Sequence, residues 1–84
     1  MAEAPQAEWK QTTDNLPDGC AAAWHAMVQG RALAGIFRLM SGETHMLCYQ
    51  VMGDPKPTVE RFPSVELALN RANVVLSTRV CMPR

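Results

Sequence analysis

Two short turn signals, Gln29-Gly30-Arg31 and Ser41-Gly42-Glu43, cut the middle of the chain into three apolar runs. Strand-forming runs joined by so few residues can close only as antiparallel neighbours, so the spacing predicts a β-meander with strands over 21–29, 32–40 and 44–52. Gly53-Asp54-Pro55-Lys56-Pro57 then forbids regular pairing, because two prolines remove amide donors. Thr58–Phe62 has the composition of a short edge strand that would make the sheet four-stranded. After Pro63, Ser64 can cap the orphan amides of a helix, and Glu66 falls in the first turn, where the helix dipole favours a carboxylate. The helix is expected to run to residue 78, with Val65, Ala68, Leu69, Ala72, Val75 and Leu76 on one buried stripe. The expected fold class is α+β: an antiparallel meander packed on one C-terminal helix.

The 84 residues hold 8 basic and 8 acidic side chains, a balance that argues against a charge-driven binder of nucleic acid or membranes. The balance is uneven along the chain. Residues 1–18 set Glu3, Glu8, Asp14 and Asp18 against Lys10 alone, net −3, which leaves +3 for the rest. That leading segment is polar, ends in the Pro17-Asp18-Gly19 turn signal, and reads as a flexible acidic arm in front of one domain over 19–84. Trp9 is its exception, a residue either folded back on the domain or held out as an interface anchor. No apolar run approaches the roughly 20 residues of a membrane span. Met1-Ala2-Glu3-Ala4-Pro5 lacks the basic and apolar segments of a signal peptide. Cys20, Cys48 and Cys81 are too few and odd in number for a disulfide framework, and the expected compartment is the cytosol.

Alternation sorts the meander into two faces. Trp24, Ala26, Val28, Leu33, Phe37, Leu39, Leu47, Tyr49 and Val51 are expected under the helix. The opposite face would carry His25, Met27, Gln29, Ala32, Ala34, Ile36, Arg38, Met40, Met46, Cys48, Gln50 and Met52. One helix covers one face of a sheet, and this second face is too apolar to be a solvated one. Methionine is unbranched and polarizable, which suits a surface that repacks around a partner. The expectation is a small non-enzymatic interaction module, with Trp9, His25, Met27, Ile36, Arg38, Met40, Met46, Gln50 and Met52 as contact residues. It would bind, and occlude or bridge, a protein partner or a second copy of itself. A chain of this size is similar to accessory and inhibitor proteins of phages and mobile elements, an analogy of size alone.

Catalytic and metal chemistry find little support. Cys20, His25, His45 and Cys48 have zinc-ligand chemistry, but His25, His45 and Cys48 sit in predicted strands, and His45 and Cys48 point to opposite faces. No phosphate loop, nucleophile elbow or close carboxylate pair is present, so neither an enzyme nor a cofactor is expected. Arg61-Phe62-Pro63-Ser64-Val65-Glu66-Leu67-Ala68, following three strands, resembles the sheet-to-helix junction of arm-type DNA-binding domains of tyrosine integrases. That resemblance implies a three-stranded sheet laid in the major groove, with Arg31, Arg38 and Arg71 as the nucleic-acid contacts. The chain departs from the pattern in its strands, where Arg31 and Arg38 stand in place of a cationic row.

Overall fold

The computed structural model describes residues 8–82. Its elements run β1 (Glu8–Thr12), β2 (Cys20–Val28), β3 (Arg31–Leu39), β4 (His45–Val51), β5 (Thr58–Phe62), α1 (Val65–Val75) and β6 (Val80–Cys81). The sheet is antiparallel in the order β1-β2-β3-β4-β5, with β6 pairing the far end of β4 and touching β3. The α+β class, the meander and the C-terminal helix are as the sequence predicts, with more strands than the pattern alone showed.

From Glu8 onward, part of the expected arm is sheet. β1 pairs along β2 from Glu8 opposite Met27 to Thr12 opposite Ala23. Trp9, opposite Ala26, packs against the core on the helix side. The first seven residues of that arm lie outside the described residues.

The β2–β3 hairpin explains which side chains face the helix. Its two-residue turn holds Gln29 at φ 52° and Gly30 at φ 78°, the left-handed pair that matches the twist of a two-residue hairpin. Glycine takes that conformation without a Cβ clash. Val28 opposite Arg31 sets the starting register, but Ala26 is opposite Ala34, so Leu33 is an extra residue, a β-bulge. A one-residue slip exchanges faces. Ala34 and Ile36 therefore turn toward the helix, while Phe37 turns away, the reverse of the expected assignment for β3. A second irregularity, at Ala21, puts Cys20 opposite Leu39.

The helix-side core sets four alanines, Ala26, Ala34, Ala68 and Ala72, among the larger Ile36, Leu47, Tyr49, Val75 and Val80. Alanines on both layers let α1 lie close to β3, β4 and β5, and Trp9 and Trp24 fill the space beside it. Ser64 caps the helix, its Oγ accepting from the Leu67 amide at 3.3 Å. The helix ends at Val75, short of the expected residue 78. The Ser77 and Thr78 hydroxyls donate back to the carbonyls of Val74 and Val75, and the chain then enters β6. A polar clasp ties the layers together: the Tyr49 hydroxyl donates to Glu60 Oε2 at 2.7 Å, and Arg71 Nε donates to Glu60 Oε1 at 3.1 Å. Burial, and then the Glu60 carboxylate, push the Tyr49 phenol above its ordinary pKa.

Candidate interaction face

No helix or strand of the described residues packs over the face of the sheet opposite α1. Two residue rows cross all five strands there. One runs Thr12, Ala23, Phe37, Met46, Arg61, and the next runs Lys10, His25, Gly35, Cys48, Val59. Met27 and Gln50 extend the surface along their strands, and Cys81 lies opposite Gln50. Ala23, fully buried in the first row, lies among the larger side chains Phe37 and Met46, and Met27 and Met82 complete the apolar part of this face.

The centre of this face is ordered by a close approach. A Cβ on Gly35 would stand 2.9 Å from Phe37 Cε2 and 3.4 Å from Met82 Cε, so the absent side chain makes a seat for the Phe37 ring and the Met82 methyl. Phe37 meets His25 edge to face at 5.8 Å between ring centroids, a geometry that favours aromatic pairs. Cys48 lies half-buried beside them, its thiol pKa raised by burial and by nearby Cys20. Lys10 on β1 and Arg61 on β5 stand at opposite edges, about 19 Å apart at the usual spacing between neighbouring strands. Neither joins an ion pair among the described residues.

Of the residues expected to form this surface, His25, Met27, Met46 and Gln50 are brought together on it. Ile36 is fully buried in the helix-side core, and Trp9 and Arg38 also lie on the helix side. Each follows from strand register: the Leu33 bulge turns Ile36 and Arg38 over, and pairing opposite Ala26 turns Trp9 over. Met40 and Met52 fall in turns beyond the strand ends, 71% and 60% exposed. Phe37, Lys10, Arg61 and Met82 belong to the face and were missed. Gly35 inside an otherwise regular strand was the available signal, since an interior strand glycine often marks a bulge or a close approach.

The other candidate sets are dispersed. Arg31 sits at the tip of the β2–β3 hairpin, Arg38 at the opposite end of β3, and Arg71 on α1 in contact with Glu60. None is on the open face. His45 lies on the helix side of the sheet, whereas His25 and Cys48 share a row on the other. Comparisons with family models, with curated proteins and with solved structures gave no match.

Proposed function

We propose that this chain is a non-enzymatic protein-interaction module whose open sheet face docks on a partner protein and occludes or bridges the surface it covers. One observation carries the reading: four large apolar side chains, Met27, Phe37, Met46 and Met82, lie on the side of the sheet that no helix or strand of the described residues covers. A contiguous apolar surface of this kind usually marks an interaction site, and aromatic and methionine side chains are enriched at interface centres. Charge selects the occupant. The face carries Lys10 and Arg61 against Glu8, a net charge of +1 that a second copy laid face to face would double. The fitting partner is a protein surface that is apolar at its centre and acidic at its rim.

The test uses tagged full chain to capture protein from cytosol with and without nuclease treatment, with the variants Met46→Glu, Phe37→Ala and Lys10→Glu/Arg61→Glu run in parallel. The expected result is a stoichiometric polypeptide that Met46→Glu and Phe37→Ala no longer retain and that the charge-reversed variant holds more weakly. Capture unaffected by all three variants overturns the reading. A dimer in light scattering that Met46→Glu dissociates would assign the face to a second copy. Retention that disappears with nuclease would assign the chain to nucleic acid.

A further inference from the structure

On the opposite side of the sheet, where β2, β3 and β4 meet the start of α1, Trp24, Arg38, Glu43, His45, Pro63, Ser64 and Val65 line an open cavity of about 380 Å³. That volume lies in the range of small-molecule sites, which combine an apolar lining with a few convergent polar groups. Trp24 and His45 form an aromatic floor, their rings 5.7 Å apart and tilted 43°. His45 is only 7% exposed. Its Nδ1 donates to the Glu43 carbonyl at 2.6 Å, which leaves Nε2 as the edge still free to bond. No sealed side-chain polar atom among the described residues lacks a partner, so the unbonded Nε2 is open to solvent. Arg38 has no ion pair or side-chain hydrogen bond among the described residues. The first amides of α1 add positive potential at the rim.

We propose that this cavity binds a small flat monocarboxylate, with the ligand's ring over Trp24 and its carboxylate between Arg38 and His45. A guanidinium presents two parallel donors that match a carboxylate, and a flat apolar body suits the aromatic floor and the Pro63 and Val65 wall. Glu43 at the lip sets the charge limit, because it opposes a dianion more than a monoanion. Nδ1 already holds a hydrogen on the Glu43 carbonyl, so a carboxylate at Nε2 requires that nitrogen to take up a proton. Arg38 and Glu43 are the charged groups lining the cavity beside His45. Affinity therefore rises as pH falls.

The experiment titrates the full chain with sodium benzoate, benzamide and inorganic phosphate, following the Trp24 indole and His45 ring resonances by NMR. Benzoate is expected to shift both saturably and to bind roughly tenfold more tightly than neutral benzamide, a margin set by the charged contact. It should also bind more tightly as pH is lowered, since binding takes up a proton. Arg38→Gln, an exposed position, should remove the preference for benzoate over benzamide while leaving the spectrum dispersed. Glu43→Gln should strengthen phosphate binding more than benzoate binding. Equal affinity for benzoate and benzamide, tighter phosphate than benzoate in the unaltered chain, an unchanged benzoate affinity in Arg38→Gln, or no saturable shift would each overturn the proposal.

Discussion

The two faces of the sheet are made from the same strands and differ in what they hold. Facing α1 are Ala26, Ala34, Ile36, Leu47 and Tyr49, with alanines on the helix to match. Facing away are Met27, Phe37, Met46 and Cys48, between a lysine on one edge and an arginine on the other. Small residues permit close contact of helix and sheet, and close contact is what makes that side insensitive to solvent. Met27, Phe37 and Met46 on the other side have no helix or strand of the described residues laid over them. The covered face supports the fold, and the proposed binding falls to the open one.

The sharpest way to break this contrast is to remove volume from the covered side. Leu47 is fully buried, between Ile36 on β3 and Glu60 on β5. Leu47→Ala is expected to cost about 2–5 kcal/mol, because it loses transfer energy and leaves a cavity. That is a large share of the roughly 5–15 kcal/mol that holds a domain of ordinary stability. Urea unfolding followed by circular dichroism measures it. A loss under about 1 kcal/mol would show that the helix side is loosely packed and would remove the distinction between the faces.

A smaller effect should come from the clasp between the layers. Tyr49→Phe takes away the donor to Glu60 and leaves Arg71 in place, for an expected cost of about 1.5–3 kcal/mol from a hydrogen bond to a charged acceptor. The same residue gives stability a pH dependence whose sign is fixed. Its phenol is raised above the ordinary value, first by burial and then by Glu60, so the folded state favours the neutral form. The stabilisation is complete below the unfolded phenol's titration near pH ~10 and is lost as pH rises through the higher folded value. Urea midpoints compared at neutral pH and about pH 10.5 should fall further for the unaltered chain than for Tyr49→Phe. An equal fall in both would place the alkaline sensitivity elsewhere.

Turns and helix were legible because their chemistry is local. Gln29-Gly30 has the residues a two-residue hairpin needs, Ser64 is a helix cap, and the Ala68, Leu69, Ala72, Val75 stripe repeats at helical spacing. The face assignment of β3 was not, because it depends on whether one residue, Leu33, is paired or bulged, and alternation carries no record of that choice. Every β3 residue from Ala34 to Arg38 changed sides on that single event, and Ile36 and Phe37 exchanged roles with it. β1 was hidden for a different reason. Glu-Trp-Lys-Gln-Thr offers one apolar residue, and an edge strand draws its order from the backbone of β2, with little from its own side chains. β6, two residues long, is below the length at which any pattern can be read.

The smallest expected effect on stability is the one that tests the open face. Met27 and Met46 are half-buried, and a glutamate at either position can keep its stem on the surface while its carboxylate reaches water. Met27→Glu and Met46→Glu are each expected to change stability by less than about 1 kcal/mol, in the range of substitutions outside a packed core. Far-ultraviolet circular dichroism should remain that of the unaltered chain. Met46 also neighbours Arg61 across the β4–β5 ladder, so Glu at that position gains a cross-strand ion pair that offsets part of the lost apolar contact. A Met46→Glu variant as unstable as Leu47→Ala would mean that both faces are core, with the open side closed by residues beyond those described. Retained stability together with lost partner capture would separate the two faces by function, since the same substitution would then leave the fold intact and remove only what the face does.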